Sequence, residues 1–166
     1  LAVLAAIGGF LAPVLISRGG SHVALFTYYA VLDLGILGIA WFRAWRELNL
    51  VGFVFTFVIG ALWGHRFYQP EHFWTTEPFL VFFFLLYVAV PVLFARRQPA
   101  HLRGYVDGSL VFGVPLVAFA LQHALVRDTE YGLAISAAVV GLFYAALATA
   151  LWQRERERAG LLAEAF

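Results

Sequence analysis

The run FLVFFFLLYVAVPVLFA (Phe79–Ala95) contains no charged residue, so a helix formed by it would have no polar side to turn toward water. A surface helix of a soluble protein needs such a polar face, and a helix without one is typical of a lipid environment. The length of the run is also close to the ~20 residues that cross the hydrocarbon core of a bilayer as a helix. The run therefore predicts a transmembrane helix.

Five further apolar runs of similar length fill the rest of the chain, separated by short polar breaks. The 166 residues are 63% hydrophobic and 13% charged, whereas soluble domains carry about 25% charged residues. These patterns predict an all-α integral membrane bundle of about six transmembrane helices. The chain begins inside an apolar run without methionine, from which we expect a fragment of a longer polytopic protein. The predicted spans are residues 1–17, 22–42, 48–64, 77–95, 107–126 and 132–152.

Charge and composition argue against several classes of function. The net charge of +1 gives no electrostatic basis for nucleic-acid binding. Without cysteine there is no thiolate nucleophile or thiolate metal ligand. The spacing of His65 and His72 is not a zinc signature, and no HExxH motif occurs, so we predict no metal site and no cofactor. The predicted partners are the lipid bilayer and the remaining transmembrane helices of the same polypeptide, with envelope proteins as a further candidate class.

The arginines are distributed unequally between the two sides of the predicted bundle. Eight of them lie in the second break, the fourth break and the C-terminal tail, and three lie in the other breaks. Short cytoplasmic loops carry the excess of Arg and Lys in membrane proteins. The distribution therefore predicts a cytoplasmic membrane protein with both ends of this chain in the cytoplasm, and it places the loop His65–Pro78 on the outer side.

Small residues recur at helical spacing in two of the spans. Helices in lipid associate through close packing of such residues, because burying apolar surface against another helix gains little over lipid. We therefore predict packing seams in the third and sixth spans. The seam residues are Gly52, Gly60 and Gly64 in the third span, and Gly141 and Ala145 in the sixth.

Asp33 lies eleven residues into the second span from its outer end, roughly 16 Å deep at 1.5 Å per residue. A carboxyl group there costs ~2.5–3.5 kcal/mol on insertion scales, so it should face other helices and be protonated or hydrogen-bonded. We interpret it as an acid that handles a proton or a solute. The alternative is a carboxyl group tied to a Tyr or Thr hydroxyl to fix helix packing. The candidate hydroxyl neighbours are Tyr29, Thr56, Tyr87 and Tyr144.

Polar residues also gather at the predicted outer ends of the spans, where they could form the mouth of a binding site. Histidine titrates near neutral pH, and beside a carboxylate it can act as an acid or a base. The alternative is a solvated loop whose aromatic rings anchor it at the headgroups. We also predict Thr75 or Thr76 as the N-cap of the fourth span. The mouth residues are Arg66, Glu71, His72, Glu77, Gln122 and His123.

Three segments, Gly8–Gly64, Thr75–Ala95 and Tyr105–Ala134, resemble the bacterial family called domain of unknown function 2339, particularly in GFVFTFVIGALWG and TTEPFL. The resemblance implies a multi-pass protein of the inner membrane of Gram-negative bacteria, longer than this chain and with more spans. It implies no substrate and no catalytic residue.

Three functions are compatible with these patterns. The favoured hypothesis is transport or handling of an envelope solute of lipid or glycan type, with Asp33 near the midplane. The second is a membrane transferase acting on a lipid-linked substrate, which requires an acid/base cluster such as Glu71, His72 and Glu77. The third is an assembly module in which the helix seams are the whole function. Whether the protein is an enzyme stays open.

Overall fold

The computed structural model describes residues 2–16, 21–43, 46–95 and 105–164, and every regular element among them is helical. The prediction of an all-α fold is confirmed. The elements are α1 (Ala2–Ile16), α2 (His22–Arg43), α3 (Arg46–Phe67), a short 3₁₀ helix (Pro70–His72), α4 (Phe73–Ala95), α5 (Tyr105–Val126) and α6 (Gly132–Glu164).

Four described segments are long and apolar enough to cross a membrane, and two shorter apolar helices accompany them. Large apolar side chains on these helices face outward, with Phe42 85% exposed and Leu15 80% exposed. Such surfaces suit contact with lipid, and the chain is a membrane helical bundle. The four candidate spans are His22–Phe42, Glu47–Phe67, Pro70–Leu93 and Gly132–Arg154, and the shorter helices are Ala2–Leu15 and Leu110–Val126.

The chain forms two compact units, Leu1–Leu125 and Val126–Phe166. In the first unit, side-chain contacts define the relative directions of the helices. Paired contacts at two levels, Phe26 with Trp63 and Asp33 with Thr56, show that α2 and α3 are antiparallel. The pairs His22–Thr75 and Asp33–Tyr87 show that α2 and α4 are parallel. Consecutive helices that each cross a membrane must alternate in this way.

The hydroxyls of α2 satisfy backbone carbonyls in α1. Pro13 lies inside α1 and has no N–H group to donate to the carbonyl of Gly9. The Tyr28 hydroxyl donates to the Gly9 carbonyl at 2.9 Å, and the Tyr29 hydroxyl donates to the Phe10 carbonyl at 3.0 Å. Within lipid an unsatisfied carbonyl is costly, so these bonds allow α1 to continue through its proline.

The predicted seam glycines differ in their surroundings among the described residues. A methyl group at Gly52 would lie 2.6 Å from the Tyr87 hydroxyl, so the helices approach closely there. At Gly60, Gly64 and Gly141 it would meet no described atom within 4 Å, and close packing at these three positions stays a prediction. Toward the end of α3, the Trp63 ring contacts the rings of His22 and Phe26 on α2.

The connection between α3 and α4 is shorter than predicted. Only Tyr68 and Gln69 lie outside helices, because α3 continues to Phe67 and a 3₁₀ turn begins at Pro70. Since α4 already begins at Phe73, the prediction of a threonine N-cap is wrong. The Thr75 hydroxyl instead donates to the His72 carbonyl at 3.0 Å. The fixed φ of proline favours the start of a helical turn, so the turn begins at Pro70. The sequence pattern had instead predicted that the helix starts at the threonines.

The second unit contains α6, whose 33 residues extend from Gly132 through the charged run Arg154–Arg158 to Glu164. This length exceeds the ~20 residues that cross the hydrocarbon core. The Arg156 guanidinium lies 4.4 Å from the centre of the Trp152 ring, an arrangement that favours a cation–π contact.

The Thr149 hydroxyl donates to the carbonyl of Ala145 one turn earlier at 2.8 Å. Ala145 itself is exposed.

Candidate functional site

Three helices of the first unit meet at the carboxyl group of Asp33. This side chain, on α2, is only 3% exposed. Its Oδ2 accepts a hydrogen bond from the Thr56 hydroxyl of α3 at 2.8 Å, and its Oδ1 accepts one from the Tyr87 hydroxyl of α4 at 2.8 Å. We call Asp33, Thr56 and Tyr87 the buried acid site. Each carboxyl oxygen is therefore bonded to a hydroxyl from a different helix.

Gly52 provides the space for the buried acid site. A methyl group at this position would lie 2.6 Å from the Tyr87 hydroxyl and 3.1 Å from Asp33 Oδ1. It would also contact the ring of Phe10, at 3.7 Å. Any larger residue would displace the two bonded groups, so Gly52 belongs to the site even though it has no side chain.

The buried acid site can hold the carboxyl group in either protonation state. No described arginine forms an ion pair with Asp33, and its partners are neutral hydroxyls. An ionised carboxylate in such surroundings keeps two donors but loses much solvation energy. A protonated carboxyl group needs one acceptor, and a hydroxyl can change from donor to acceptor by rotating. The geometry therefore suits an acid that gains and loses a proton.

Among the predicted hydroxyl neighbours in the first unit, Tyr29 has a different hydrogen-bond partner. Tyr29 is fully buried, but its hydroxyl donates to the Phe10 carbonyl and not to Asp33. Tyr144 belongs to α6 of the second unit. Residue depth predicted four hydroxyl residues as candidates, and within the first unit Thr56 and Tyr87 are the two bonded to Asp33.

Asn49 is a buried polar residue that the sequence reasoning did not select. Its side chain is 2% exposed, and its amide Nδ2 has no hydrogen-bond partner among the described residues. The residue lies at the edge of the predicted third span, where a polar side chain is unremarkable. Its spacing could have indicated that it is buried, because Asn49, Gly52 and Thr56 follow one another at intervals of three and four residues and share a helix face.

Two of the predicted mouth residues are hydrogen-bonded to each other. Gln122 Nε2 donates to Glu77 Oε1 at 2.9 Å and joins α5 to α4. Glu77 Oε2 is buried without a hydrogen-bond partner in the described part of the chain, and so is His72 Nδ1. No hydrogen bond between described residues joins His72 to Glu77 or Glu71. The other mouth residues, Arg66, Glu71 and His123, are exposed.

His72 instead lies beside His22, at the start of α2. The two imidazole rings are 4.8 Å apart, and the Trp63 ring is 5.1 Å from that of His22. The Thr75 hydroxyl lies 2.8 Å from His22 Nε2 and gives its only hydrogen to the His72 carbonyl. His22 must therefore donate from Nε2. Among the described residues, no group of three or more His, Cys, Asp or Glu could hold a metal ion.

Comparison with known proteins gives one informative result. A family model described as "Predicted membrane protein (DUF2339)" matches residues 1–166, which confirms the family resemblance seen in the sequence. No curated protein and no solved structure matches the chain. The description of the family states membrane location and no activity.

Proposed function

Because the chain belongs to the DUF2339 family of predicted membrane proteins, we propose that it handles an envelope solute of lipid or glycan type through a proton held at Asp33. One observation carries the proposal: a carboxyl group 3% exposed and bonded at 2.8 Å to hydroxyls from two other helices. Ionisable groups within membranes mark ion, proton and substrate pathways, since their burial is costly.

The chemistry of the three side chains supports a proton in particular. Both hydroxyls direct their hydrogens at Asp33, so they favour the carboxylate. Protonation requires only that one hydroxyl rotate, and it removes the energetic cost of the buried charge. A change of protonation therefore alters the bonds between α2, α3 and α4. This coupling is what a proton-dependent membrane protein needs to link an acid to a movement of helices.

The proposed location is the bacterial inner membrane, with both ends of this chain in the cytoplasm. The unequal distribution of arginines supports that orientation. The alternating directions of α2, α3 and α4 are compatible with it. The proposed partners beyond lipid are the remaining helices of the same multi-pass protein and envelope proteins.

The proposal is tested in a deletion strain that carries full-length variants, with profiles of envelope lipids and glycans as the readout. Asp33→Asn preserves the shape of the side chain but not its acid function. We expect this variant to reach the membrane at the parental level and to leave the profile like that of the deletion strain. The matched control is Asp128→Asn, since Asp128 is an exposed carboxylate paired with Arg127. It should restore the parental profile.

Full restoration by Asp33→Asn would overturn the proton-handling role. A deletion strain with an unchanged profile would overturn the class of solute. The assembly hypothesis remains a second candidate, because the buried acid site also ties three helices together. It predicts that Asp33→Asn, Thr56→Val and Tyr87→Phe all lower the amount of folded protein in proportion to the lost function. The transferase hypothesis is less well supported, since His72 is not hydrogen-bonded to either glutamate in the described part of the chain.

A further inference from the structure

Two buried polar groups of the first unit lie on opposite sides of the buried acid site, and each has an atom without a partner among the described residues. Toward the start of α3 is the amide Nδ2 of Asn49, with the side chain 2% exposed. Toward the start of α4 is the hydroxyl of Thr76, with the side chain 8% exposed. A buried donor without an acceptor costs about 1–3 kcal/mol, so such groups usually bind ordered water or a ligand.

Asn49 is the nearer of the two to Asp33. It precedes Gly52 by one turn of the same helix face, about 4.5 Å along the axis. Gly52 has no side chain to separate it from the carboxyl group, since even a methyl group there would lie 3.1 Å from Asp33 Oδ1. On this helix face the glycine backbone is therefore bordered by the Tyr87 hydroxyl, Asp33 Oδ1 and the edge of the Phe10 ring, and two of these three groups are polar.

Thr76 is separated from the buried acid site by an aromatic layer. It precedes Tyr87 by three turns of α4, roughly 16 Å. Between these levels lie Phe26 and Phe83, each 5% exposed, and Phe26 also contacts Phe79 and Trp63 at 5.6 Å and 5.2 Å between ring centres. Rings packed in this way leave little room for a chain of water molecules.

We infer that Asn49 binds the water through which Asp33 exchanges its proton with the side of the membrane where α3 begins. The amide Nδ2 donates to that water. The water donates to Asp33 Oδ1 when the carboxyl group is ionised, and it accepts the O–H of the carboxyl group when Asp33 is protonated. In the exchange, Asp33 passes its proton to the bound water as that water passes one of its own to the next water toward the first turn of α3. The aromatic layer closes the opposite route. This inference rests on the proposed proton-handling role and specifies its sidedness.

The test uses the full-length protein in lipid nanodiscs and infrared spectroscopy after transfer into D₂O. The C=O stretch of protonated Asp33 is identified by its loss in Asp33→Asn, over a series of pH values. We expect Asn49→Leu, which is apolar and of similar size, to slow the exchange of this group about tenfold, the effect of losing one hydrogen bond in the path. Thr76→Val is the matched control, and its exchange should remain within about twofold of the parent.

Parental exchange in a folded Asn49→Leu protein would overturn the inference, as would equal slowing by Thr76→Val or the absence of a protonated Asp33 band at every pH. If Asn49→Leu does not fold, Asn49→Val and Asn49→Ser replace it: valine should slow exchange and serine, which keeps a donor, should not. The two proposals fail separately. Exchange that depends on Asn49 together with full restoration of the envelope profile by Asp33→Asn overturns only the proposed function. Exchange independent of Asn49 overturns only the inference.

Discussion

At the scale of single residues, the buried acid site depends on one small residue as much as on its polar ones. Gly52 allows Asp33 and Tyr87 to approach α3 closely, whereas Gly60 lies on the same helix with no described atom within 4 Å of the methyl group it would gain. The same residue type therefore has two different environments two turns apart. Comparison of the two positions separates the loss of space from the general effect of removing a glycine from a helix.

We predict that Gly52→Ala destabilises the protein by about 1–3 kcal/mol, because the added methyl group forces Tyr87 or Asp33 out of their mutual hydrogen bond. Gly60→Ala should be neutral or stabilising by up to about 1 kcal/mol, since alanine favours the helix. Thermal unfolding of the purified variants in the same detergent measures both. Equal stability of the two variants would show that the Gly52 contact does not restrict the site.

At the scale of elements, a side chain of α2 replaces a backbone hydrogen bond that α1 lacks. Pro13 deprives the Gly9 carbonyl of its helical donor, and the Tyr28 hydroxyl takes that place at 2.9 Å. Tyr28 is 41% exposed, so its ring lies at the lipid-facing side of this contact while its hydroxyl reaches the backbone. The proline and the tyrosine should therefore be energetically coupled.

A double-mutant cycle tests this coupling. Tyr28→Phe should cost about 1 kcal/mol with Pro13 present, because it leaves the Gly9 carbonyl unsatisfied in an apolar environment. With Pro13→Ala, the new N–H group can donate to Gly9, and the cost of Tyr28→Phe should fall by about half or more. Unfolding free energies of the four proteins give the result. Additive effects of the two changes would contradict the proposal that the Tyr28 hydroxyl replaces the missing donor at Gly9.

At the scale of the whole molecule, the alternation of α2, α3 and α4 agrees with the order of apolar runs along the chain. The contacts at the start of α2 join it to the start of α4, and those at its middle join it to the middle of both α3 and α4. The buried acid site therefore lies near the middle of all three helices. Glu47 lies at the start of α3, and Glu71 lies in the 3₁₀ turn that follows the end of α3.

Cysteine labelling of whole cells tests this arrangement, and this chain contains no cysteine. Glu47 and Glu71 are both exposed, so neither substitution should disturb packing. We expect Glu71→Cys to react with an impermeant maleimide in intact cells, and Glu47→Cys to react only after permeabilisation, as the arginine distribution predicts. Labelling of both from one side would contradict a membrane-crossing α3 and every depth derived from it.

Hydropathy over a span is a local property of the chain, and the all-helical membrane bundle could be predicted from it. Local rules performed less well at boundaries: Thr75 resembled a cap, but the turn at Pro70 starts the helix earlier. Small residues at helical spacing predicted seams, and spacing alone could not show which of them meets a neighbouring helix; among the described residues Gly52 does so.

The partners of Asp33 could not be derived from the sequence. The sequence gives only the depth of each residue along its span, and four hydroxyl residues lie within one turn of the depth of Asp33. Their selection depends on the rotation of each helix about its axis and on which helices are neighbours, and both follow from packing between residues distant in the chain. The same holds for Asn49. In the sequence it is a polar residue at the end of a predicted span, and only the structure shows that its amide is a buried donor. Composition and periodicity specify that these helices lie in lipid, while side-chain contacts among them create the site.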